Sequence, residues 1–178
     1  MAKKVELKID DQIWPMERDI LFRPDRLKYV RRLVKPKGCV FCTAAKAKAS
    51  EKSLVLYHSR YSTVMLNKFP YNTGHLLVVP KNHGGDFLKL SKKEFQDLHQ
   101  TLQMSMRVLK KAYQPDGFNL GMNHGAVAGA GIPEHLHYHL IPRWKGDLNF
   151  FPLIAETKAV IESLEQSFDR LIGFFEEE

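Results

Sequence analysis

The period of the apolar positions changes several times along the chain, and each change marks an element. Three short runs rich in β-branched and aromatic residues, at 54–57, 61–67 and 75–79, are bounded by turn-forming residues, which predicts consecutive antiparallel strands. The period then lengthens. Phe95, Leu98, Leu102, Met106, Leu109 and Tyr113 recur at helical spacing up to Pro115, behind Ser91-Lys92-Lys93-Glu94 with the spacing of a capping box. A strand is predicted at 118–122, a small-residue loop at 125–131, and another strand at 135–141, closed by Pro142. A last helix is predicted at 154–175, with Val160, Ile161, Leu164, Phe168, Leu171, Ile172 and Phe175 on one face. The order predicts an α+β fold: an antiparallel sheet of about five strands, a long helix and a C-terminal helix, with the helices on one side.

The N-terminal part is less regular. Residues 1–20 alternate charged and apolar groups without a sustained period around Pro15, which reads as an arm. Residues 21–36 carry Arg23, Arg26, Arg31 and Arg32 among Leu21, Phe22, Leu27, Tyr29, Val30 and Leu33, with Pro24 and Pro36, which suits a short basic helix between turns. No composition shift marks a further boundary, so the expected organisation is an arm at 1–20 and one folded domain at 21–178.

Composition adds three constraints. The 178 residues, 44% hydrophobic, suffice for one core. No run reaches the roughly 18 apolar residues of a membrane helix, and the charged start lacks a signal segment, so neither secretion nor membrane insertion is expected. The two cysteines, Cys39 and Cys42, stand at metal or redox spacing and suggest a reducing, cytoplasmic setting. The net charge of +7 lies wholly in residues 1–52, which hold 14 basic and 7 acidic side chains; the rest hold 13 of each. Such a face steers polyanions, nucleotide or nucleic acid alike, or is simply solvated.

Three of the eight histidines alternate with apolar residues in His135-Leu136-His137-Tyr138-His139-Leu140-Ile141. On a strand, His135, His137 and His139 share one face, about 6.5 to 7 Å apart, while Leu136, Tyr138 and Leu140 enter the core. One histidine is more often a packed core residue than a functional one. Three in register, behind a loop with three glycines able to approach phosphate oxygens, favour chemistry.

The pattern resembles the histidine triad (HIT) superfamily of nucleotide hydrolases and transferases, whose signature His-φ-His-φ-His-φ-φ residues 135–141 match in full. The similarity extends to Asn67-Lys68-Phe69-Pro70, Gly74-His75-Leu76-Leu77-Val78-Val79-Pro80, Lys81-Asn82-His83, Pro142-Arg143-Trp144 and Gly146-Asp147-Leu148-Asn149-Phe150-Phe151-Pro152, and covers roughly residues 21–175. Gly129-Ala130-Gly131-Ile132-Pro133 before the triad, with Arg143-Trp144 and Asn149-Phe150 behind it, looks most like the bacterial fragile-histidine-triad and diadenosine tetraphosphate phosphorylase branch.

The resemblance implies that His137 attacks an α-phosphorus to form a nucleotidyl-imidazole, which water or phosphate resolves. His139 would donate to a phosphate oxygen, and the 129–131 backbone, Gly129 and Gly131 included, would help neutralise developing charge. It also implies Asn67 at the ribose, Leu77 against the base and Asn123 near the transferred phosphoryl group. A turn cap, a plain core residue and a strand end are the respective bland readings. Cys39 and Cys42 form half a zinc site, for which the resemblance nominates His83 and His135 as the other ligands; a buried reduced pair or a redox couple are the alternatives. A homodimer is implied as well, through the long helix and a sheet edge, with Phe150, Phe151 or the C-terminal helix reaching the partner.

One departure concerns the leaving group. Many family members carry Gln, Ser or Thr three or four residues before the first histidine, where this chain has Ile132 and Gly131. A phosphate leaving group departs with little protonation, whereas an amine needs a proton, which favours dinucleoside polyphosphates over phosphoramidates. The expected activity is therefore cleavage of dinucleoside polyphosphates such as diadenosine tetraphosphate. The alternatives are a nucleotide- or nucleic-acid-binding module with a basic N-terminal face, and a hydrolase of adenylated nucleic-acid ends.

Overall fold

The computed structural model describes residues 38–147 and 162–177. The expected arm, the basic helix at 21–36, Phe150 and Phe151 lie outside these residues. Among them are a short helix α1 (Val40–Ala44), strands β1 (Val55–His58), β2 (Ser62–Leu66) and β3 (Leu76–Pro80), helix α2 (Lys92–Tyr113), β4 (Gly117–Gly121), β5 (Tyr138–Arg143) and helix α3 (Leu164–Glu176). The strands form one antiparallel sheet in the order β1-β2-β3-β5-β4. No helix among the described residues is long and apolar enough to cross a membrane.

Strand alternation divides the side chains between two faces. Val64, Leu66, Leu76, Val78 and Leu140 point to one, where they pack with Leu98, Leu102, Val108 and Leu109 of α2 and Phe168, Leu171 and Phe175 of α3 into the main core. Met65, Leu77 and Val79 point to the other, where Phe41 of α1 joins them in a smaller cluster. The helices are thus not all on one side: α1, which follows Cys39, covers part of the opposite face. Helix α2 starts at the expected capping box, with the Ser91 hydroxyl accepting from the Glu94 amide and the Glu94 carboxylate from the Ser91 amide.

Three boundaries differ from expectation, the first being the end of β5, which is not closed by Pro142 but runs through it to Arg143, paired there with Gly117 of β4. The last helix begins at Leu164 instead of 154, because Ser163 and Gln166 form a second capping box and Ser163 is extended; residues 154–161 lie outside the described part. Strand β5 begins at Tyr138, so only the third histidine of the triad lies on a strand. Proline explains this: β3 ends at Pro80, which has no N–H for the ladder, and its carbonyl accepts instead from the His135 ring.

Candidate active site and metal cluster

Although His135 and His137 precede the strand, the alternation persists. Leu136 is buried in the main core, its amide donating to the Gly84 carbonyl over 2.8 Å, while the histidines line the opposite face. The 84–85 segment lies close against this stretch: a Cβ on Gly85 would meet the Pro133 carbonyl oxygen at 2.0 Å. His139 is registered with Leu77 on β3 and with Gly121 on β4, which lacks a side chain to cover it.

The rings form a row. His83 and His135 centroids are 5.1 Å apart, Phe41 sits 5.4 Å from His135 and 4.9 Å from His137, and His137 to His139 and His139 to His75 are 5.1 Å each. Sequence reading assigned no role to His75 or Phe41. His75 lay within a quoted motif and Phe41 between the two cysteines, but only the fold brings them onto the triad.

Hydrogen bonds fix what each nitrogen can do. His137 Nδ1–H donates to the backbone carbonyl of His135 over 2.9 Å, which leaves the Nε2 lone pair as the reactive position. His75 Nδ1 accepts from the Tyr71 amide over 3.0 Å, so its Nε2–H donates to His139 Nδ1 over 2.9 Å. His139 is thereby left with an Nε2–H, a donor. Burial lowers the pKa of His137 and lowers those of His75 and His139 to about 3 and about 4, with help from neighbouring histidines in the last two cases, so all three are neutral near pH 7.

At the other end of the row, Cys39, Cys42, His83 and His135 bring their ligand atoms within 4.8 Å of one another. Sγ of Cys39 is 3.2 Å from His135 Nδ1, Sγ of Cys42 is 3.3 Å from His83 Nδ1 and 3.6 Å from His135 Nδ1, and the two Nδ1 atoms are 3.3 Å apart. His135 Nε2–H donates to Pro80 O over 2.8 Å, which turns its Nδ1 lone pair toward the cluster. Four converging donors of this kind can hold a metal ion.

Of the other expected residues, Leu77 is buried beside Phe41 on the triad face. Asn67 Oδ1 accepts from the Phe69 amide over 2.9 Å, a turn-capping bond, while its Nδ2 lies against the His75 ring. Asn123 Nδ2 donates to the Gly129 carbonyl over 3.3 Å and steadies the glycine loop. The Gly129 and Ala130 amides close that loop on Ala126 and Gly125. The loop therefore offers its shape rather than these two N–H groups to an anion. Gly131 follows at the surface.

Comparison with known proteins accords with this geometry. The HIT domain model matches residues 48–146, more than half of the chain. The chain belongs to the HIT domain family. It is 38% identical over 119 residues to an AP-4-A phosphorylase of Mycobacterium tuberculosis, covering 67% of this chain and 61% of that protein. It is also 38% identical over 99 residues to a bis(5'-adenosyl)-triphosphatase of Saccharomyces cerevisiae, covering 53% and 48%. The match thus spans about three fifths and half of these relatives' lengths. Among solved structures, a zinc-bound histidine triad family protein from Mycobacterium smegmatis superposes with a TM-score of 0.63 at 25% identity, covering 79% of this chain and 94% of that one.

Proposed function

We propose that this HIT protein is a nucleotidyl hydrolase or transferase that cleaves dinucleoside polyphosphates of the diadenosine tetraphosphate type. The observation that carries the reading is the bond from His137 Nδ1–H to the His135 carbonyl, because it commits the opposite nitrogen of a buried, neutral imidazole to act as nucleophile. In the first step His137 Nε2 bonds to the α-phosphorus and the anhydride P–O bond breaks, releasing nucleoside polyphosphate. In the second, water or inorganic phosphate attacks the same phosphorus and the N–P bond breaks. His139 Nε2–H donates to a nonbridging phosphate oxygen in both transition states, where negative charge is placed. The names of the two enzymes to which the chain is 38% identical support this substrate class.

Ile132 and Gly131 supply no side-chain acid for the leaving group, and a polyphosphate needs little protonation. Asn67, Leu77, Asn123, Gly129 and Gly131 are assigned to the nucleotide. Zinc fits Cys39, Cys42, His83 and His135: tetrahedral zinc with ordinary bond lengths spaces sulfur and nitrogen ligands about 3.6 Å apart and two nitrogens about 3.4 Å apart, close to the separations above. Bound there it would have no open position, and its contribution would be to tie α1 to the triad. We assign the protein a homodimeric state, for which β4 is the suited edge, since it ends the sheet and leaves Leu120 exposed, and a cytoplasmic location.

The test is chromatography of products from diadenosine tetraphosphate, with and without inorganic phosphate, beside His137→Ala. AMP plus ATP regardless of phosphate identifies a hydrolase, and ADP plus ATP only with phosphate a phosphorylase. Absence of any His137-dependent product would overturn the reading.

A further inference from the structure

Tyr71 is 43% exposed, on the loop between β2 and β3, yet its ring lies on both histidines of the donor pair. It stacks on His139 with centroids 5.8 Å apart and planes 25° apart, and leans on His75 at 4.9 Å. Its amide is the group that donates to His75 Nδ1. The loop that carries it is pinned on both sides. Asn67 caps the turn at Phe69; the buried Asn72 donates to the Pro142 carbonyl and to Asp147; and Gly74, at φ +69°, is packed so closely that a Cβ would lie 3.0 Å from the Tyr113 ring.

We propose that Tyr71 is a positioning residue for the donor histidine, its amide selecting the tautomer of the His75–His139 pair and its ring covering that pair from water. The two functions are separable, because the amide belongs to any residue at this position and the ring does not. Among the described residues, the titratable groups facing His139 are His75, His137 and Tyr71 itself. Those facing His75 are His139 and, at longer range, His137, beside the neutral Asn67 amide. Removing the ring admits water to imidazoles whose neutrality rests first on burial, so their protonation moves up in pH and the Nε2–H of His139 is no longer set by a neutral partner.

The assignment of a reaction to His139 rests on the proposed function, so the deciding measurement is made without substrate. Two-dimensional ¹⁵N NMR of the histidine side chains, followed between pH 7.5 and 4, is run on the wild type, Y71F, Y71L and Y71A. In the wild type His139 and His75 are both neutral, protonated at Nε2, from pH 7.5 down to about pH 5, and His139 begins to titrate only toward pH 4. In Y71A both titrate at least one pH unit higher, a tenfold change in protonation; Y71L, which fills space without an aromatic face, falls between; Y71F restores the wild-type curves. With diadenosine tetraphosphate as probe, Y71A lowers kcat about tenfold and raises the acid limb of its pH profile, with little change in KM. Unmoved histidine titrations in folded Y71A or Y71L would overturn the proposal, as would a rise in KM alone, which would make the ring a substrate platform. Absence of turnover in the wild type would defeat the proposed reaction while leaving the NMR result to decide the role of Tyr71.

Discussion

His75 gives the acid sensitivity of the fold a source that can be measured. Fully buried, it has a pKa lowered to about 3, first by desolvation and then by His139 and His137, against 6.5 in an unfolded chain. As pH falls through 6.5 the unfolded state takes up a proton at this position and the folded state does not, so stability is fully present above 6.5 and is lost progressively down to about 3. Each unit in that window corresponds to about 1.4 kcal/mol, which makes the loss between pH 7.5 and pH 5 about 2 kcal/mol for this one residue. Urea unfolding at both pH values, followed by tryptophan fluorescence, would be compared for the wild type and His75→Gln. The variant is less stable at pH 7.5 but loses about 2 kcal/mol less on acidification than the wild type does. Parallel losses in the two proteins would refute the claim that burial holds this imidazole neutral.

Other outcomes follow from the packing. Cys42→Ser removes one of four donors, and metal analysis of the purified protein is expected to fall from stoichiometric zinc to a trace, with a lower melting temperature. Phe41→Ala empties a buried position shared by His135, His137 and Leu77 and is expected to destabilise by about 3 kcal/mol or more in chemical denaturation, with His137-dependent turnover reduced as well. Gly85→Ala sets a Cβ against the Pro133 carbonyl, where neither side is a flexible chain end, and is expected to cost about 1–3 kcal/mol by the same assay. Asn72→Ala leaves the Pro142 carbonyl without this donor and is expected to cost about 1–3 kcal/mol, read as a shift in denaturation midpoint.

Much of the fold was legible because the apolar period is strong. The six apolar positions between Phe95 and Tyr113 and the capping box before them fix α2, and the alternation from His135 to Leu140 assigns faces even where no strand forms. The start of β5 was not legible, since it depends on what Pro80, 58 residues before Tyr138, cannot donate. The start of α3 was signalled by Ser163-x-x-Gln166 but obscured by apolar residues upstream that extend its period. In the site, the triad and the Cys39–Cys42 half of the metal cluster announced themselves by spacing, and the family resemblance added His83 and His135 as the other two donors. His75, Phe41 and Tyr71 could not be found in that way. Their relation to the triad is created by strand pairing across more than sixty residues in one case and by the α1 turn in another, and no local period records it.

His135 is bonded at Nδ1's cluster side, at Nε2 to Pro80 and through its own carbonyl to His137. A ring restrained at both nitrogens cannot swing, and the carbonyl two bonds from its Cβ is immobilised with it. His137, the proposed nucleophile, therefore inherits its aim from the covalent geometry of a single neighbour, with no hinge between the scaffold and its Nε2. The loop ahead of the triad is fixed by different means: Gly125 and Gly129 both stand at φ +85°, a conformation that a side chain at either position would strain.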